Sequence, residues 1–155
     1  MASFSMTKRI TAPVETVFEV ASDLEHAAET IRGIERIELL TPPPVGIGTR
    51  WRETRRMMGR EATETLELTA FDRPHRYTVG CHSCGAYMET TFRFTPSGDA
   101  SGPAATDLAL DIRCEARSLF AKLMSPLSNM MFAKMMRSCI ASDLDDLARV
   151  AESRE

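Results

Sequence analysis

Residues 48–95 read GTRWRETRRMMGREATETLELTAFDRPHRYTVGCHSCGAYMETTFRFT. Gly59, Asp72-Arg73-Pro74 and Ser83-Cys84-Gly85 punctuate the run, leaving four extended stretches at about 48–58, 60–71, 75–82 and 86–95. Links this short join strands that run antiparallel. PSGDASGPA, 96–104, is a polar loop. Beyond it TDLALDIRC, 106–114, sets Leu108, Leu110, Ile112 and Cys114 on one face and Asp107, Asp111 and Arg113 on the other.

Working back towards the N-terminus, SFSMTKRI, 3–10, alternates as a first strand, with Phe4, Met6 and Ile10 on one face and Lys8 breaking the pattern. Pro13 suits a first helical turn, where its missing N–H has no partner to lose. Val14, Val17, Phe18 and Ala21 then repeat at helical spacing. Asp23 is expected to cap a second short helix through Leu24, Ala27, Ala28 and Ile31, ended by Gly33 in a left-handed conformation. IERIELL, 34–40, is extended, and the prolines and glycines of TPPPVGIG, 41–48, make a loop.

After residue 116 the period becomes helical. SLFAKLM, 118–124, reads as a short helix or turn. Ser125-Pro126 opens a long final helix to about 152, with Phe132, Met136, Ile140, Leu144, Leu147 and Ala151 in its central stripe and Met131, Met135 and Cys139 widening it. The order is strand, two short helices, six strands, long helix, an α+β layer arrangement in a single domain, 1–155.

The totals narrow the function classes. Of 155 residues, 43% are hydrophobic and 26% charged, and the formal net charge is −3. A free-standing nucleic-acid binder usually carries a basic excess, so no nucleic-acid partner is expected. No apolar run approaches the roughly 18 residues of a membrane-spanning helix. MASFSMTKRITAP at the N-terminus has no secretory pattern, and the expectation is a cytoplasmic protein with free thiols.

Several stretches resemble the START-like helix-grip superfamily, in particular its polyketide cyclase/dehydrase and lipid-transport group. ITAPVETVFEVASD is similar to that family's first strand and helix, GIGTRWRET to its glycine-rich entry to the third strand, FDRPHRY to its hairpin into the fifth, and DLDDLARVAE to the end of its long helix. The resemblance covers nearly the whole chain. It implies a curved antiparallel sheet of about seven strands wrapped around the C-terminal helix, with a cavity between them for an apolar or amphipathic small molecule. Members include carriers, receptors and enzymes, and fold does not choose among them.

Alternation then drafts the cavity. Arg50, Arg52, Thr54 and Arg56 share one strand face, expected to be wet, with outward Glu64 or Glu67 as pairing partners. Trp51, Glu53 and Arg55 share the other. Charges pointing into a cavity must be paired or hydrated, so Glu53 and Arg55 either satisfy each other or hold a ligand's polar end. Arg55 favours an ionised Glu53, a hydrogen-bond acceptor rather than a proton donor. Leu66 and Leu68 face in, with Tyr77, Val79 and Cys81, then Met88, Thr90, Phe92 and Phe94, then Leu108, Leu110 and Ile112. Met131, Phe132, Met135 and Met136 oppose them from the helix, methionine being suited to adaptable apolar surfaces. A one-residue bulge would swap any of these faces.

Cys81-His82-Ser83-Cys84 is one pair where a zinc site needs about four ligands, and it lies on a hairpin turn, so structural thiols are expected and neither a metal nor another cofactor is. The expected function is binding of a hydrophobic small molecule as carrier or sensor. The alternative is a cyclase/dehydratase-type enzyme in which Glu53, Arg55 and Tyr77 converge on a polyketide-like substrate. A partner- or membrane-surface module using the arginine row is a third reading, disfavoured by the acidic total. A homodimer is left open.

Overall fold

The computed structural model describes residues 2–57, 59–83, 85–116 and 125–154, and the side chains of all of these but 2, 57, 116 and 125–132. The elements are β1 (Ala2–Ile10), α1 (Val14–Ser22), α2 (Ala27–Thr30), β2 (Ile34–Leu39), β3 (Arg50–Met57), β4 (Arg60–Asp72), β5 (Arg76–Ser83), β6 (Ala86–Ser97), β7 (Ala105–Ala116) and α3 (Ser125–Ser153). The seven strands form one sheet in the order β1-β7-β6-β5-β4-β3-β2. Every pairing is antiparallel. This is the helix-grip arrangement that the family resemblance implies.

Tight turns join β3 through β6, and Gly59 and Gly85 have the positive φ of 77° and 76° that those turns require. β1 then returns to pair with β7 along its whole length, from Ala2 opposite Cys114 to Ile10 opposite Thr106. Phe4 and Met6 thereby lie beside Ile112 and Leu110 on the inner face. Lys8, which interrupts their alternation, reaches out to Asp145 of α3 at 2.9 Å.

The core is the inner face of the sheet against α1 and one stripe of α3. Ile140, Leu144, Leu147, Ala148 and Ala151 are the buried apolar residues among the described side chains of α3, mostly recurring at three- and four-residue intervals. Phe18 of α1, fully buried, meets Phe71, Tyr77 and Phe94 edge-on, with ring centroids 5.3, 5.7 and 5.0 Å away. Burying a side chain of this size stabilises the fold by about 1.5–3 kcal/mol.

Four expectations need correction. α2 begins at Ala27, not after Asp23; the Asp23 carboxylate instead accepts the His26 backbone N–H at 3.3 Å and pairs with its ring at 2.8 Å. Gly33 does not have a positive φ; its hydrogen faces Arg55, where a Cβ would stand 3.4 Å from Nη1. Thr54 is not wet: it is 2% exposed and shares a hydrogen bond with Thr63 at 2.9 Å. Glu64 does not point outward, because it lies two positions before inward Leu66 and so shares its face, and it lies opposite Glu53. Arg52 pairs instead with Glu38 at 3.3 Å, and Arg56 with Glu35 and Glu61 at 2.9 and 3.8 Å. Such exposed pairs contribute little.

Candidate ligand-binding site

A cavity of about 200 Å³ lies between the sheet and α3. β3 contributes Trp51, Glu53 and Arg55; β4 contributes Leu66 and Leu68; β5 and β6 contribute Tyr77, Val79, Thr90 and Phe92; β7 contributes Leu110 and Ile112. All these faces follow from period-2 alternation in register, since Trp51 lies opposite Leu66, Leu68 opposite Val79, and Phe92 opposite both Tyr77 and Leu110. α3 adds Met136, Cys139, Ile140, Asp143, Leu144 and Leu147. The segment from Ala21 to Ile34 covers one side with Leu24, Ala27 and Ile31.

Of the expected wall residues, Met88 and Met135 are half-buried but do not line the cavity. Met88 faces inward further along β5 and β6, opposite Cys81 and Cys114. The side chains of Met131 and Phe132 lie outside the described residues, as does all of Met58, Cys84 and 117–124.

The polar corner has three members. Arg55 Nε donates to Glu53 Oε2 at 2.8 Å, while its Nη1 and Nη2 donate to the two oxygens of Asp143 at 3.2 and 2.8 Å. The three side chains are only 22%, 14% and 18% exposed in the order Arg55, Glu53, Asp143. Burial works against the guanidinium charge, but the two carboxylates outweigh it and hold the Arg55 pKa above its ordinary value. Asp143 moves up from the ordinary 3.8: burial dominates, Arg55 opposes it, and nearby Glu53 adds to it. Asp143 was not among the expected site residues. Its signal is its position three residues after Ile140 and four before Leu147, inside the apolar stripe of α3.

The next acidic residue of that helix face behaves oppositely. Asp146 is 1% exposed and receives the Arg32 backbone N–H at 3.0 Å and the Arg32 side chain at 2.8 Å. Burial resists its ionisation, but these hydrogen bonds and the Arg32 charge hold its pKa below 3.8. The signs therefore oppose. The depressed Asp146 contributes stability that is lost as pH falls, whereas the raised Asp143 favours the folded state towards lower pH and loses that contribution as pH rises through its folded pKa. Carbon-detected NMR titration should give an Asp143 carboxyl midpoint above 3.8 and an Asp146 midpoint below it. Coincident midpoints would refute the geometry of both clamps.

Two groups on the inner face carry raised pKa values. The Tyr77 hydroxyl donates to the Ala21 carbonyl at 3.1 Å, and burial pushes its pKa up. It ties α1 to the sheet instead of joining Glu53 and Arg55. Burial, reinforced by Glu64 and Glu53, pushes the Cys81 thiol up to about 11, where little thiolate exists near neutral pH. Glu64 also accepts from Ser83 at 2.7 Å. Among the described residues no group of His, Cys, Asp and Glu side chains is arranged to hold a metal ion. No described helix is long and apolar enough to cross a membrane.

A sheet gripping one long helix around an apolar cavity defines the START-like class. Within it, the chain belongs to the polyketide cyclase/dehydrase and lipid transport family, whose model matches residues 1–152. Similar solved structures include TTHA0849 from Thermus thermophilus, with 23% identity, TM-score 0.76, and coverage of 99% of this chain and 100% of that one. A START superfamily protein from Mycobacterium smegmatis has 18% identity, TM-score 0.76 and coverage of 97% of each chain. Truncated norcoclaurine synthase from Thalictrum flavum has 15% identity, TM-score 0.74, and coverage of 99% of this chain and 95% of that one. At these identities the likeness is one of fold. No curated protein matches in sequence.

Proposed function

We propose that the chain binds a hydrophobic or amphipathic small molecule in this cavity and acts as a carrier or sensor in the cytoplasm. The carrying observation is the wall itself: leucine, isoleucine, valine, methionine and aromatic side chains surround one polar corner whose charges already pair internally. An apolar hollow with a few placed polar groups is the usual form of a small-molecule site. A set of acid and base groups left free to act on a substrate is what a cyclase would need, and Tyr77 is tied to Ala21 instead. The cyclase/dehydratase reading retains one observation in its favour, the Asp143 carboxyl, whose pKa burial raises, on the same guanidinium as Glu53.

Trp51, the single tryptophan, sits in the wall at 3% exposure and reports on occupancy. Ligand-stripped protein should emit at short wavelength. Titration with sterols, fatty acids, quinones and aromatic polyketides should give saturable quenching with at least one class. Emission indifferent to every class, from protein that remains folded, would refute binding in this cavity. Turnover of a polyketide-like substrate that is lost in Glu53→Gln or Asp143→Asn while binding persists would favour the enzyme instead.

A further inference from the structure

We propose that the ligand's head group is an uncharged hydroxyl, on a phenol or an alcohol, which accepts the Trp51 Nε1–H and offers its own proton to Glu53. The inference rests on the binding reading above and specifies the chemistry of the ligand's polar end.

Two independent features of the wall converge on this group. The first is a missing acceptor. Trp51 Nε1 is buried and has no hydrogen-bond partner among the described residues. Leaving such a donor unmade costs about 1–3 kcal/mol, and buried polar groups in native proteins are rarely left so. The cross-strand neighbours of Trp51 are Leu39 and Leu66, whose side chains carry no acceptor. Trp51 is among the residues that line the cavity, and a ligand seated there supplies the acceptor. An ammonium head group cannot fill this role, because it has protons to give and no lone pair.

The second feature is an excess of negative charge. Glu53 lies two residues along the same strand face, and it shares the single Arg55 guanidinium with Asp143. Glu64, opposite Glu53, is met by the Ser83 hydroxyl, with the Cys81 thiol 3.9 Å away, and by no cation among the described residues. A ligand carboxylate would satisfy Trp51 but would place a further negative charge beside two carboxylates in a poorly hydrated corner, where like charges repel most strongly. An oxygen without charge meets the first demand and escapes the second. A hydroxyl does more than a carbonyl, since its proton reaches towards the carboxylate acceptors.

Four probes with one ring system separate the possibilities: naphthalene, 2-naphthol, 2-naphthoate and 2-naphthylmethylamine, each titrated calorimetrically into the intact chain. The naphthol should bind about tenfold more tightly than naphthalene, the scale of one satisfied buried donor. The naphthoate should gain nothing over naphthalene, and the amine, which the carboxylates attract but which leaves the indole N–H without an acceptor, should bind less tightly than the naphthol. In Trp51→Phe the naphthol-to-naphthalene ratio should fall close to one. In Glu53→Gln, which leaves the indole in place, the naphthoate should gain several-fold relative to the naphthol. Equal binding of naphthol and naphthalene, a preference that survives Trp51→Phe, or tightest binding by naphthoate or the amine each overturns the proposal. An unchanged naphthoate ratio in Glu53→Gln overturns it even if Trp51→Phe does not fold. If all four probes fail to bind folded protein, the binding reading itself falls and takes this inference with it. If naphthalene binds and no head group is preferred, only this inference falls.

Discussion

Phe18→Ala should destabilise the protein by about 4 kcal/mol, a large fraction of the 5–15 kcal/mol that holds a typical domain. Phe18 has no exposed surface and is the hub of an aromatic cluster. Phe71, Tyr77 and Phe94 all meet it edge-on, and Arg73 lies over its ring with the guanidinium carbon 5.2 Å from the centroid. Truncation removes the transfer energy of the ring, leaves a hollow that the surrounding strands fill poorly, and strips three aromatic pairs of a partner. Chemical denaturation should show the lower midpoint with an unchanged slope. A loss below about 1 kcal/mol would mean that α1 shifts to fill the space, and that it is not a fixed wall of the fold.

Arg55→Met should cost about 3 kcal/mol near neutral pH, by a different route. Methionine preserves much of the apolar stem but leaves Glu53 and Asp143 facing each other without the cation they share. Removing one partner of a buried pair is expensive because of the charge left behind. The deficit therefore depends on pH. Without the guanidinium, which holds the Asp143 pKa down against burial, that pKa rises further, the folded protein binds a proton there more readily than the unfolded chain, and stability recovers as pH falls towards about 4. Adding Glu53→Gln and Asp143→Asn to Arg55→Met should restore much of the loss at neutral pH, the non-additivity expected of groups in one network. A pH-independent deficit would mean that the cost is one of packing alone.

These two sites differ in how far the sequence foretold them. The strands were legible because alternation and turn chemistry agree over residues 48–95. Trp51, Glu53, Arg55, Leu68, Tyr77, Val79, Phe92 and Leu110 all line the cavity as period 2 requires, and Met136 does so from the helix. Phe71 escaped that rule. The register slips between Leu68 and Ala70, so Thr69 is an extra residue and Phe71 comes to lie opposite Tyr77 and packs against the core. A bulge leaves no mark in the pattern of residues that precedes it.

Asp143 was hidden for another reason. An apolar stripe is found by collecting apolar residues, so a carboxylate at the right spacing is read as a gap in the stripe and not as its most informative member. Glu64 was misplaced by seeking partners for the outer arginines instead of following the alternation through Leu66. That the indole N–H of Trp51 finds no partner among the described residues has no sequence signature at all, since it depends on what the strands on either side fail to offer.

The pairing of β1 with β7 at one edge of the sheet sets a condition on how the molecule comes into being. Ser5 donates to Asp111 at 2.6 Å across 106 residues of chain, and β1 has no strand neighbour in the sheet other than β7. During synthesis the first strand emerges long before its partner exists, and α3, which covers the inner face, comes last of all. Contacts this distant in sequence make folding slow. For that interval the apolar faces of β3 to β6 and the unpaired strand edges stand open to other chains, the state in which aggregation competes with folding. Production of the protein should accordingly be limited less by the stability of the finished fold than by the time α3 takes to arrive and dock.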